Sequence, residues 1–558
     1  MVYYLRILSS EKGFRLLSSR STLLLLLLSG LVWFALLGHR DVIDPDEARY
    51  SEIPREMVVS GDWVTPRLND LKYFEKPAFQ YWMTAISYEL FGISNASARL
   101  WLAIAGFATA LFTGFLAGRL YGRELVPTAF ILTLSTLLFT AVGHIITLDM
   151  TLTLSMTLAM GSLILAQHYR ADSKANRNWM LLGWAAIAMA VLTKGLVGLV
   201  LPGTAVFLYM LWQRDWILLK HLHLVKGLIL LLLLTVPWFY QVSMANDEFL
   251  RFFFIHEHFE RYTTDVHERA GPVYYFIGIF LLGACPWLVL NLTALFKPDF
   301  SWKAPTQPGF ASARLIWVYI ATVFIFFSLG HSKLPPYILP IFPFVALLSA
   351  AKLRQLERIK GDQWILLGLS TLFLATGIFV TKFASSKIPE ALYADYRPWI
   401  IAGSACLFAG TGALFRFKMQ PMKAIPITGV FCLLGFQMFL WGFQALASSR
   451  SSADEAVAIQ TRFPQGVKVY AVGNYPQALP FYLNRTVTLV LPGGELTMGA
   501  TAEPEKTVPS FEAFADLWAQ EKEAVAVMEP GTFEHLTSLQ VPMEILFQDP
   551  RRIVVTKP

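Results

Sequence analysis

Apolar runs of about 20 residues follow one another along most of this chain, and a run of that length is what a helix needs to cross the hydrocarbon core of a bilayer. They are centred near Leu28, Phe107, Leu134, Leu158, Ala188, Ala205, Leu232, Gly278, Val323, Val345, Leu372, Leu407 and Phe436, thirteen in all. The runs around Ala188 and Ala205 are joined only by Lys194-Gly195, so a count of twelve follows if they are one span. With 55% hydrophobic and 15% charged residues over 558 positions, the chain is too apolar to be soluble. The expected fold class is an α-helical polytopic membrane protein carrying a C-terminal soluble α/β domain.

The net charge of +7 would raise the question of nucleic acid in a soluble chain. Here it has a simpler source, because Lys and Arg gather in the loops on one side of the spans. Examples are Arg119/Arg123, Arg170/Lys174/Arg177, Lys352/Arg354/Arg358/Lys360 and Arg416/Lys418/Lys423. This places the N-terminus in the cytoplasm, with Arg6, Lys12, Arg15 and Arg20 ahead of a first span that is retained rather than cleaved. No nucleic-acid partner is expected. Cys285, Cys406 and Cys432 lie in or beside apolar runs without pairing or ligand spacing, and read as small buried apolar residues.

Two domains are expected: a transmembrane unit over 1–449 and a soluble unit over 450–558. In the first, the largest outward loops are 41–97 and 246–271. In the second, VKVYAVG, VTLVLPGG, EAVAVM and RRIVVT read as strands, and PSFEAFADLWAQEKE as a helix capped by Ser510. An odd span count sends this unit to the external face.

The outward loops carry the residues fit for chemistry. The segment from Asp44 to Met83 mixes Asp46, Glu47, Glu52, Glu56 and Glu75 with Arg49, Arg55, Arg67, Lys72 and Lys76 beside a span end. Asp46 reads either as a helix-start acid favoured by the helix dipole or as a charge facing a polar ligand. Asp149, in HIITLDMTL, lies at the outer end of an apolar run, where an ionised group is costly unless it faces a polar cavity or caps a helix. Arg49, Lys76, Lys194, Arg261 and Lys333 all fall in outward turns. Singly each reads as interfacial snorkelling; as a set they suit a phosphate. Tyr337, in HSKLPPY, fits the same phosphate or an aromatic belt. In FFFIHEHFERYTTDVHER, His256 and His258 are two residues apart and point away from each other on a helix, which is a weak metal signal. No Walker loop, dinucleotide fingerprint, HExxH or nucleophile elbow occurs.

The block PDEARYSE, followed by GDWVTPRL and YFEKP, resembles the first external loop of the bacterial lipid A 4-amino-4-deoxy-L-arabinose transferase family. These are membrane glycosyltransferases of the GT-C type, related to dolichyl-phosphate-mannose protein mannosyltransferases. The resemblance implies a polyprenyl-phosphate sugar as donor, undecaprenyl phosphate as its carrier, lipid A as acceptor, and resistance to polymyxin and other cationic peptides as the outcome. It places the protein in the bacterial inner membrane with the C-terminal domain periplasmic. It also implies catalytic roles for Asp46 and Asp149 with Glu47 beside them, a donor-phosphate site of Arg49, Lys76, Lys194, Arg261, Lys333 and Tyr337, and a divalent metal, zinc, on Glu75 and His256. A related transferase with another sugar or a protein or polysaccharide acceptor stays open. A lipid-linked sugar flippase is disfavoured, since a transporter concentrates its charges at mid-membrane and this chain collects them at one face.

Overall fold

The computed structural model describes residues 20–260, 271–303 and 309–558, apart from the side chains of 256 and 258–260. Arg261, His267 and the side chain of His256 therefore lie outside the described residues.

Among the described residues, eight helices are long and apolar enough to cross a membrane, from Asn95–Leu120 to Pro421–Ala447. They account for eight of the thirteen apolar runs. The other five differ in ways that composition alone does not show. Arg20–Phe34 and Val197–Gln213 are apolar but shorter. Ser173–Lys194 is long but carries Lys174, Arg177 and Lys194. The last two runs are each broken in two, Val126–Leu134 with Leu137–Val142, and Tyr275–Gly283 with Leu288–Phe296.

Burial sorts the spans. Asp149–His168 is 94% buried and forms the centre of the bundle, whereas Leu224–Ala245 is 22% buried and faces outward. A central helix without water must satisfy its own hydroxyls, and Thr153, Ser155 and Thr157 each donate to the carbonyl four residues back, at 2.7, 2.8 and 2.6 Å. The helices Glu390–Arg416 and Pro421–Gly442 cross at Gly403 and Gly435, where a Cβ on either would lie 2.8 to 2.9 Å from the other's carbonyl oxygen. Only glycine permits that approach.

The first loop folds as helix Asp46–Ser60, hairpin β1 (Arg67–Leu68) and β2 (Leu71–Lys72), and helix Phe79–Phe91. Asn69 and Asp70 make the turn with positive φ of 53° and 63°, the two-residue geometry Asn and Asp tolerate best. Glu56, on the helix, accepts their backbone N–H groups at 2.5 and 2.8 Å, so the hairpin is docked onto the helix before it.

The C-terminal domain is a six-stranded sheet in the order β5 (Thr507–Val508), β4 (Thr488–Val490), β3 (Lys468–Val472), β6 (Ala524–Met528), β8 (Ile553–Thr556), β7 (Glu544–Gln548). The first four run parallel, β8 is antiparallel to β6, and β7 is antiparallel to β8. Ser510 caps helix Phe511–Gln520 by accepting from the Ala513 N–H at 3.2 Å. Side chains alternate across the sheet. Val469, Ala471, Val525 and Val527 join a core shared with Ile53, Met57 and Tyr81 of the first loop, while Tyr470, Val472, Ala524 and Ala526 pack on Phe514 and Trp518. One face of the domain is thus the outer wall of the first loop. Polar ties reinforce it: Arg552 pairs with Asp44 and, at 3.1 Å, with Glu455, while Asn69 exchanges hydrogen bonds with Val487 at 2.7 and 2.8 Å.

Candidate active site

Helix Asp46–Ser60 begins with two acids in its first turn, where the dipole favours them, and they face different ways. Glu47 points inward. It accepts from Arg40 at 2.7 and 2.9 Å, from Arg99 at 2.9 Å and from the Ile146 backbone N–H at 3.1 Å, and is 1% exposed. Burial pushes its carboxyl up, but the two guanidinium groups outweigh that and bring it down to about 2. Two buried guanidinium groups need an anion, so Glu47 is committed to holding this helix in place. This clamp fixes the start of the helix directly behind Asp46.

Asp46 points the other way, with a side chain 40% exposed, and pairs with Arg49. The Arg49 side chain is 2% exposed and also pairs with Glu495 of the C-terminal domain. Its guanidinium lies 5.2 Å from the ring centre of Tyr50 and 5.8 Å from that of Tyr73, within cation–π range. The hydroxyls of Tyr73 and Tyr81 are buried and lack a hydrogen-bond partner among the described residues, and burial raises both well above the ordinary phenol range. Two buried donors without a partner thus stand beside a buried cation, an arrangement able to receive a polar group.

A second group forms at the outer end of the central helix. Lys194, closing helix Ser173–Lys194, donates to Asp149 at 2.5 Å, and its Nζ lies 4.3 Å from the ring centre of Tyr337. Asp149 begins Asp149–His168 without serving as its cap. The structure thus brings together three residues that lie far apart in sequence. The two groups are linked, since Ile146, whose N–H binds Glu47, is three residues from Asp149, and Thr151 bonds Gln80 of helix Phe79–Phe91.

Lys76 donates to the Glu75 carbonyl at 2.7 Å and to Glu257 at 2.8 Å, tying the first loop to the π-helical stretch Arg251–Glu260. Lys333 lies two residues before the turn Pro335–Ile341 that carries Tyr337; its Nζ meets the carbonyls of Ser328 and Gly330, at the C-terminus of helix Ser312–Leu329, and burial lowers its pKa. That is a helix-end cation completing unpaired carbonyls. Glu75 is buried and close enough to Arg49 to act on its charge. Among the described residues no group of three or more His, Cys, Asp or Glu stands where it would hold a metal. Sequence reasoning missed Tyr50, Tyr73, Tyr81 and Glu495. The tyrosines offered one signal, four of them between 50 and 88 in a loop that is otherwise strongly charged.

Residues 18–252 match the family described as dolichyl-phosphate-mannose-protein mannosyltransferase, and 455–557 the aminoarabinose transferase C-terminal domain. A crystal structure of ArnT from Cupriavidus metallidurans bound to undecaprenyl phosphate is 35% identical, covers 98% of each chain and superposes with a TM-score of 0.88. Undecaprenyl phosphate-alpha-4-amino-4-deoxy-L-arabinose arabinosyl transferase from Erwinia tasmaniensis is 32% identical over 70% of this chain and 73% of its own. The enzyme of that name from Shewanella sediminis is 33% identical over 65% of this chain, and the match spans 66% of its length. Fold, span-end site and terminal domain define a polytopic membrane glycosyltransferase. More narrowly, the chain belongs to the undecaprenyl phosphate-alpha-4-amino-4-deoxy-L-arabinose arabinosyl transferase family.

Proposed function

We propose that this protein moves 4-amino-4-deoxy-L-arabinose from undecaprenyl phosphate to a phosphate of lipid A at the periplasmic face of the bacterial inner membrane. The added amine offsets lipid A negative charge and lessens the attraction of polymyxin and other cationic peptides. The observation that carries the reading is the meeting of Asp149, Lys194 and Tyr337 at the ends of spans, beside a first loop with Asp46 and Arg49. The match over 455–557 favours aminoarabinose over the mannose of the family matched by the N-terminal half.

The acceptor phosphate monoester already carries charge near neutral pH, because its second pKa is about 6. It attacks the anomeric carbon without a strong base. The bond from that carbon to the donor phosphate oxygen breaks, and undecaprenyl phosphate leaves with the electron pair. Asp46 and Asp149 orient the sugar and favour its developing positive charge; Arg49, Lys76, Lys194, Arg261 and Tyr337 hold the departing phosphate. Lys333 belongs to this set through its place in the same outward turn as Tyr337. Zinc on Glu75 and His256 is also proposed, with the buried Glu75 carboxylate as the oxygen donor; such an ion would add positive charge near the phosphate. Elemental analysis is expected to find zinc that is lost in a Glu75→Ala, His256→Ala variant, and unchanged content would exclude these ligands.

Purified protein given the aminoarabinose donor and lipid A should yield singly or doubly modified lipid A by mass spectrometry. Turnover of another polyprenyl-phosphate sugar in preference, or of a protein acceptor, would overturn the assignment.

A further inference from the structure

Arg49 of the proposed phosphate site meets the C-terminal domain through a charge, by way of Glu495. The acid is presented deliberately. It follows Gly493 and Gly494, the latter at φ 61° with open space where a side chain would stand. Just beyond it, Gly499 brings its backbone so close to β2 that a Cβ would lie 2.6 Å from the Lys72 carbonyl oxygen. Glu503 then pairs with Arg67 at 3.0 Å, fixing the segment along the hairpin. Glu495 thus follows a flexible glycine pair and is tethered to the first loop on its C-terminal side, with a side chain 25% exposed.

We propose that Glu495 is a positioning residue that competes with phosphate for Arg49 and thereby speeds release of the spent polyprenyl phosphate. This rests on the reading of Arg49 as a donor-phosphate ligand. The donor is a phosphodiester with one negative charge, whereas the product is a monoester bearing about 1.5 to 2 negative charges near neutral pH. A buried guanidinium that holds the donor well holds the product better, since charge-assisted bonds strengthen with the acceptor's charge. A carboxylate tethered by its own domain offers Arg49 an alternative partner at every turnover. With Asp46 and Glu495 both on Arg49, the cluster has one excess negative charge before any lipid arrives, which weakens both lipids.

The test uses the purified full chain and undecaprenyl phosphate as the probe. Glu495→Gln, and Glu495→Ala as a second variant, should bind it about tenfold more tightly, as coupling between charged ligands at one site usually runs to that size. Donor KM should fall, inhibition by undecaprenyl phosphate should strengthen, and the first turnover should keep its rate while later ones slow. A gain of affinity cannot come from a damaged fold, which separates the role from a structural one. Unchanged or weaker binding in both variants would overturn it. Arg49→Ala is the control for the underlying reading: unchanged undecaprenyl phosphate binding there removes Arg49 from the phosphate site and this role with it. Lost binding there with no gain in the Glu495 variants leaves the site standing and defeats only the competition.

Discussion

Lys194 is where the chemistry is most concentrated, since one ammonium meets a carboxylate and an aromatic face at once. Lys194→Gln keeps much of the length and removes the charge. A charge-assisted hydrogen bond contributes about 1.5 to 3 kcal/mol, so donor KM should rise about tenfold or more, and normal KM and kcat in a normally inserted variant would place the phosphate elsewhere. Asp149, Lys194, Arg49 and Asp46 were legible in the sequence because an ionised group beside a span is costly without a partner. For Glu47 the sequence offered only its place beside Asp46: nothing local reveals that Arg40 and Arg99 close on it from seven and 52 residues away. Tyr73 and Tyr81 were hidden by their resemblance to ordinary boundary aromatics, and Glu495 by lying in the soluble tail.

At the scale of elements, Glu47 joins helix Asp46–Ser60 to the turn that leads into the central span. Its folded pKa of about 2 lies below the ordinary 4.5, so the stability it gives is complete above about pH 4.5 and is lost as pH falls toward 2. Glu47→Gln should flatten the part of the acid unfolding curve that falls in that window, and at pH 7 should cost about 3 to 5 kcal/mol by leaving buried guanidinium charge uncompensated. An unaltered melting temperature at pH 7 would contradict the clamp. The eight long spans followed directly from hydropathy. The breaks at Ser135-Thr136 and at Ala284 to Trp287 did not, because both lie inside runs whose composition stays apolar; the second falls at Pro286, and the two are joined by the Leu137 N–H bonding the Cys285 carbonyl at 2.9 Å.

At the scale of the whole molecule, the terminal domain and the first loop are tied together by pairings between residues 418 and 508 positions apart. Strands β3, β4, β6 and β8 of that domain were readable in the sequence, whereas β5 and β7 were not, nor was its docking, because Asp44–Arg552 and Asn69–Val487 are pairings only the fold reveals. Its orientation follows if all thirteen apolar runs cross: a cysteine introduced at exposed Glu534 should react with a membrane-impermeant reagent in intact spheroplasts, and labelling only after lysis would reverse the topology. Transfer as proposed requires a site that holds a polyprenyl phosphate and separately stabilises positive charge on its sugar. Asp46→Asn separates the two, keeping side-chain size while removing the charge. Measured on one purified preparation, undecaprenyl phosphate binding should persist while transfer of aminoarabinose to lipid A falls about 100-fold or more, the usual scale for losing one preorganised electrostatic contribution. Full transfer by this variant would contradict the account.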